Sequence, residues 1–386
     1  MNTTLIISNT FNRFFESEKS GGILLVIFTS IAIVITNSAF GQDYLSLWKT
    51  MVGGLTLEHW INDGLMTMFF LLIGLELERE LYIGELSVFK NAMLPITAAI
   101  GGMLVPALIY MMLNDGTPTQ NGIGIPMATD IAFALGAIAI LGNRIPSALK
   151  VFLVAFAVID DLGAIAIIAV FYTAKLSLYY LLSALLVWVL LIVLNRFFKI
   201  ISLAPYIVGG VIMWFLMLKS GIHATITGVL LAFAIPFSTK DDDIKSPSYK
   251  LEHLLHKPVS FLILPIFALA NTGIIFDTNS MQTLASVSSL GITAGLVVGK
   301  PVGVVLFCYM AVKNGLCQLP TDVKWSHIIG GGMLGGIGFT MSIFITNLAF
   351  SGNETLINST KIAILCASFG SGLLGFVWLR FTKQHK

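Results

Sequence analysis

Asp160 and Asp161 stand side by side within residues 151–172, VFLVAFAVIDDLGAIAIIAVFY, where every other residue is apolar, glycine or tyrosine. A run of this length and composition suffices for a helix to cross a bilayer. One acidic side chain at the centre of such a helix costs roughly 2.5–3.5 kcal/mol on insertion scales. A chain keeps two adjacent ones when they face a wet cavity and handle an ion or a proton. Neighbours on a helix point about 100° apart, so one carboxyl can face the cavity fully and the other obliquely. Asp130 and Lys300 fall equally deep in other apolar stretches. Three acids and one base cannot all pair. The carboxyls left over must be protonated, hydrated or bound to a cation. Low dielectric and a like-charged neighbour both favour the protonated form of a carboxyl. Protons and a metal cation then compete for the same oxygens, and that competition is the basis of exchange.

The elements that must position these groups are membrane spans. Hydrophobic residues make up 56% of the 386 and charged residues 11%, with mean hydropathy +0.90. A soluble domain carries about 25% charged residues, so the sequence describes an all-α polytopic membrane protein. Twelve apolar segments of bridging length lie near 21–40, 59–79, 92–113, 122–142, 148–172, 178–198, 204–219, 222–238, 258–276, 288–312, 326–350 and 359–380. Residues 1–20 are polar and no cleavage signal follows them, so the first segment reads as a retained span. An even count puts both termini on one side. With the termini inside, 17 of the 22 Lys and Arg fall on the cytoplasmic face, 4 on the other and Lys300 within a span. That asymmetry places both termini in the cytoplasm. No polar segment is long enough for a second domain, so residues 1–386 form one transporter domain with a cytoplasmic loop over 238–257. The Asp241–Asp243 run in that loop reads as a solvated stretch. Cys308, Cys317 and Cys366 form neither a disulfide framework nor a metal spacing, and a net charge of +2 gives no reason to expect nucleic acid.

Two of the spans are expected to be interrupted. In residues 121–136, NGIGIPMATDIAFALG, Gly122, Gly124 and Pro126 precede Thr129 and Asp130. Pro126 lacks an N–H and disfavours helix at Ile125. In residues 330–345, GGGMLGGIGFTMSIFI, six glycines, among them Gly335, Gly336 and Gly338, precede Thr340 and Ser342. Interrupted spans 4 and 11 hold corresponding places in the two halves, which suggests inverted-topology repeats near 92–172 and 288–380 whose broken helices cross near the midplane. A broken helix leaves unpaired N–H groups at one end and unpaired C=O groups at the other, each end carrying about half a unit charge. Asp130 is placed to neutralise the N-terminal ends and Lys300 the C-terminal ends. Pro301 should free the Val297 carbonyl and bend that span. His223 reads as a packed, hydrogen-bonded residue.

Several stretches together, ATDIAFALG (128–136), VIDDLGAIAII (158–168), LKSGIHATITG (218–228), LEHLLH (251–256), VGKPVG (298–303) and GIGFTMSIFI (336–345), resemble the bacterial NhaA-type sodium/proton antiporters. The resemblance covers all twelve segments in order. It implies that Asp160 and Asp161 carry the cation and the protons, that Thr129 and Asp130 line the site, and that Lys300 balances charge or pairs with an aspartate. It implies a pH-regulated homodimer in the bacterial inner membrane, in contact with lipid, that exports Na⁺ or Li⁺ for incoming H⁺, is active at alkaline pH and needs no cofactor. Glu76, Arg79 and Glu80, with Glu252, His253 and His256, resemble the family's pH-sensing cluster. Glu78 makes that cluster more acidic than the family pattern. The residues 41–58 are where the resemblance puts the dimer contact. A cation channel is a poorer reading, because one compact acidic cluster between broken helices suits a gated site. An intramembrane aspartyl protease needs facing carboxyls from two helices, whereas Asp160 and Asp161 share one. The sequence is therefore read as a transporter, not an enzyme.

Overall fold

The computed structural model describes residues 3–173, 176–238, 246–276 and 284–382, with backbone only for 3–19, 85 and 143. Nearly every element is a helix, as apolar segments without water must satisfy their own backbone groups. In chain order, α1 is Thr3–Thr36, α2 Gly41–Trp48, α3 Leu57–Tyr82, α4 Phe89–Asn114, α5 Ile131–Leu141, α6 Ser147–Phe171 and α7 Leu178–Arg196. There follow α8 Ala204–Ser220, α9 Ile226–Ala232, α10 Pro247–Asn271, α11 Val287–Lys313, α12 Trp325–Gly335, α13 Phe339–Ala349 and α14 Glu354–Phe381. Strands Met51–Val52 and Leu55–Thr56 make a small antiparallel hairpin between α2 and α3.

Among the described residues, eight helices are long and apolar enough to cross a membrane, or up to ten when two bent pairs are each counted as one. The twelve segments read from the sequence fall short of that test at 204–219 and 222–238. There α8 has 17 residues and α9 has seven. Gly221, left-handed at φ 86°, closes α8, and Pro236 follows shortly after α9. A second difference lies at 238–257. Residues 247–257, expected in a loop, form the first turns of α10, started by Ser246, whose hydroxyl accepts the Tyr249 N–H at 3.1 Å, with Pro247 in the first turn. The Asp241–Asp243 run lies outside the described residues. At Pro301 the helix runs on: a π-helical turn over Gly295–Gly299 precedes it, and α11 stays one 27-residue helix.

Two units share one order of elements. A long helix (α4 or α11) leads to an interrupted one, then to another long helix (α6 or α14). The two leading helices touch backbone to backbone. A Cβ on Gly101 would overlap the carbonyl oxygen of Gly303, and a Cβ on Gly303 would overlap that of Gly101. This reciprocal contact brings Lys300 to the interior and leaves no room for a side chain on either helix. Gly303→Val should therefore part α4 from α11 at a cost of about 1–3 kcal/mol or more, read as a lower thermal midpoint in detergent; an unchanged midpoint would contradict the packing. The largest apolar cluster joins α4–α6 with α10–α14, while α7, α8 and α9 pack around a smaller one that includes Tyr206, Met213 and Leu231.

Candidate functional site

Both interruptions lie where the sequence places them, and they meet. Residues Gln120–Met127 form a 3₁₀ segment, Ala128 is extended, and Asp130 caps α5 from an extended conformation. The second break separates α12 from α13 by a 44° bend. Hydrogen bonds knit the two together. The Asp130 N–H donates to Ile337 O at 2.6 Å, and the Thr129 hydroxyl to Gly335 O at 2.7 Å. The Ser342 hydroxyl donates to Ile125 O at 2.7 Å, and the Thr340 N–H to the Asp130 carboxylate at 3.0 Å.

Asp130 serves two helix ends at once. Its Oδ1 accepts the Phe133 N–H of α5 at 3.2 Å, while its Oδ2 accepts the N–H and the hydroxyl of Thr340 at the start of α13. One negative charge thus faces two N-termini, each with a partial positive charge. Lys300 does the converse. Its ammonium donates to the carbonyl of Met127, where the 3₁₀ segment ends, and to both oxygens of Asp160 at 2.9 and 2.8 Å. Thr129 is also among the groups that act on Asp160.

With those contacts made, one acid is left over. Asp161 is fully buried, and neither of its oxygens has a hydrogen-bond partner among the described residues. The charges acting on it are those of Asp160, Asp130, Lys300 and Glu76. A buried ionised carboxylate without a partner is costly; a proton or a small cation would remove that cost. Asp160 offers its oxygens to the same ligand only by loosening Lys300. The chemistry available is reversible binding of a cation or protons.

The glycines at the second break act by size. Gly336 and Gly338 both have ordinary helical dihedrals. A Cβ on Gly336 would overlap Leu296 O and Ser371 Oγ, and one on Gly338 would overlap Ser342 Oγ and crowd Ala128 O. Gly335 packs against the Phe156 ring. Gly122 and Gly124 likewise make room for the hydroxyls of Tyr110 and Tyr172.

The Na⁺/H⁺ antiporter 1 family model matches residues 12–379. The chain belongs to the Na⁺/H⁺ antiporter 1 family. It is 63% identical over 379 residues to the Na⁺/H⁺ antiporter NhaA of Dechloromonas aromatica (strain RCB), covering 98% of this chain and 97% of that one. It is 59% identical over 375 residues to NhaA 1 of Flavobacterium johnsoniae, with 97% of both chains covered. Against the NhaA of Cytophaga hutchinsonii the identity is 56% over 379 residues, 98% of this chain and 97% of the other. This antiporter is a multi-pass membrane protein that exchanges Na⁺ and H⁺, and it is a transporter, not an enzyme.

The remaining sequence-selected residues of the antiporter gather where α3 meets α10. Arg79 pairs with Glu252, Nε and Nη2 each 2.8 Å from the same carboxylate oxygen, and its guanidinium lies 4.7 Å from the centre of the Tyr249 ring. His253 stacks on that ring at 4.5 Å. Glu80 folds back toward Gly84, and Glu76, one turn earlier, is the member of the group that acts on Asp161. His256 shares α10 with Glu252 and His253, one turn further along. His223 contacts the carbonyl of Tyr172 at 3.0 Å, in line with a packed residue.

Two residues were not singled out by the sequence. Tyr172 donates its hydroxyl to Asn121 O at 2.7 Å and accepts the Gly124 N–H at 3.2 Å; Tyr110 donates to Thr119 O at 2.7 Å. They hold the 3₁₀ half of the broken span from two sides. No sequence signal marks them, because a tyrosine at the end of a span is ordinary interfacial chemistry. Tyr172→Phe should cost about 1 kcal/mol by removing the hydroxyl's bonds to both backbone groups, read as a lower thermal midpoint; an unchanged midpoint would mean that this tyrosine does not hold the turn.

Proposed function

We propose that the antiporter exports Na⁺ or Li⁺ and takes in two protons per cation, by alternating access at one site made of Asp160 and Asp161 with Thr129 beside them. The observation that carries this reading is Asp161, buried with both oxygens unpartnered next to an Asp160 held by Lys300. From the cytoplasmic side at alkaline pH, the site loses its protons and takes a dehydrated cation. The cation competes with the Lys300 ammonium for Asp160. One proton belongs to Asp161, and the other belongs to the Asp160–Lys300 pair as a unit. Asp130 and Lys300 keep the broken ends neutral throughout.

Two protons entering for one cation leaving moves one net charge inward, worth about 2.3 kcal/mol per 100 mV. Membrane potential then drives export. The protein is placed in the bacterial inner membrane with both termini cytoplasmic, as a homodimer in contact with lipid. Glu76, Arg79, Glu80, Glu252, His253 and His256 form the cytoplasmic pH-responsive group, and the Arg79–Glu252 pair between α3 and α10 is the contact it would tune.

Inside-out vesicles from cells lacking other antiporters provide the test. A ΔpH is established, NaCl, LiCl or KCl is added at alkaline or mildly acidic pH, and its collapse is followed. Na⁺ and Li⁺ should collapse it at alkaline pH, and an imposed membrane potential should change the rate. No cation-dependent collapse in inserted protein would remove the exchange reading, and a rate indifferent to potential would remove the two-proton ratio.

A further inference from the structure

A cleft of about 720 Å³ opens between α2, the hairpin, the start of α3, the ends of α10 and α13, and the start of α14. Clefts of this size hold small-molecule ligands. Two of its charge pairs are internally satisfied. Lys49 meets Glu354 at 2.5 Å, and His59 meets Asp63 at 3.0 Å. Two charges remain. Lys361 is 8% exposed, and Glu58 is half-buried. Neither side chain has a hydrogen bond or an ion pair among the described residues, although Glu58 first, and then Glu354, act on Lys361 at longer range. They therefore stand more than a salt-bridge distance apart, one cation and one anion across a shared cleft.

Lys361 lies seven residues into α14, about 10 Å from its start. A lysine so placed usually snorkels to the interface or finds an acid. This one ends in the cleft. The wall also presents Leu45, Leu348, Ile357 and the half-exposed Ile275, which make it amphipathic. A purely anionic ligand would meet Lys361 but be repelled by Glu58. A ligand carrying both an oxyanion and an ammonium satisfies both, and an apolar tail accounts for the apolar rim.

We propose that this cleft binds the headgroup of a zwitterionic phospholipid, with its phosphodiester oxygens on the Lys361 ammonium and its primary ammonium on the Glu58 carboxylate. Charge-assisted hydrogen bonds of this kind are the stronger ones. The site is separate from Asp160 and Asp161 and does not depend on how the cation is carried.

Native mass spectrometry of the full-length antiporter in detergent, with added phosphatidylethanolamine or phosphatidylglycerol, tests this. Lys361→Met should weaken phosphatidylethanolamine binding at least about tenfold, and Lys361→Arg should restore it. Glu58→Gln should weaken phosphatidylethanolamine by a similar factor without weakening phosphatidylglycerol. Lys219→Met, on another surface, should change neither. All variants should retain Na⁺-dependent exchange, which shows that they fold. Wild-type affinity in Lys361→Met, or a Glu58→Gln effect equal for both lipids, overturns the proposal. So does soluble glycerophosphoethanolamine binding as tightly as the lipid, since the cleft would then serve a free zwitterion.

Discussion

Asp161→Asn should reduce Na⁺-dependent collapse of ΔpH to background while leaving the protein as stable as before, or more so. The two halves of that expectation have one cause. Both Asp161 oxygens are buried and without a hydrogen bond among the described residues, so nothing in the fold depends on its charge. Replacing an unpartnered buried carboxylate with a neutral side chain of the same shape removes a desolvation cost. The same change removes the one aspartate charge at the crossing that, among the described residues, no helix end or lysine compensates. A drop of at least about 100-fold in apparent cation affinity is expected, about 3 kcal/mol. Exchange measured in vesicles and thermal midpoints measured in detergent must diverge. A variant that loses both would make Asp161 a structural residue, and one that loses neither would leave the cation elsewhere.

Lys300→Met should do the opposite and damage the fold first. It strands Asp160, which is fully buried and accepts from that ammonium at 2.8 and 2.9 Å, and it strands the Met127 carbonyl. Breaking a buried pair by removing one partner costs about 3–5 kcal/mol, whereas removing both partners is often close to neutral. The double variant Lys300→Met/Asp160→Asn should therefore recover much of the lost stability. Recovery will be incomplete, because Met127 still lacks its donor. A double-mutant cycle on thermal midpoints gives the coupling directly. Additive losses would mean that the pair does not bear on stability.

How much of this was legible depended on contrast. Asp130, Asp160, Asp161 and Lys300 were readable because their surroundings are otherwise uncharged, and Pro126 marked its break for a steric reason. Which aspartate pairs with Lys300 was not readable. Residues 160 and 161 are adjacent, and only the rotation of α6 decides between them. The glycines around the second break could mean an interruption or close packing, and both hold: the span bends there, while Gly336 and Gly338 keep helical dihedrals and make close approaches to Leu296, Ser371 and Ala128. That information lives in the partner element, not in the segment. The start of α10 was missed for another reason. Ser246 and Pro247 carry a helix-start signal, but the polar run around Glu252 and His253 made the stretch look like a loop. Helix length alone does not confirm all twelve apolar segments as spans, because Gly221 and Pro236 shorten two of the helices.

The double cap on Asp130 has a mechanical consequence. One carboxylate accepts from Phe133 on α5 and Thr340 on α13, while Asp130 N–H, Thr129 and Ser342 stitch the same two strands of backbone. Sliding α5 against α13 by even part of a turn would uncap one of them in a place where no water can substitute. The crossing is therefore stiff, and it must travel as one piece. Whatever opens the site to one side and then the other has to be sought at the borders of that piece, and not within it.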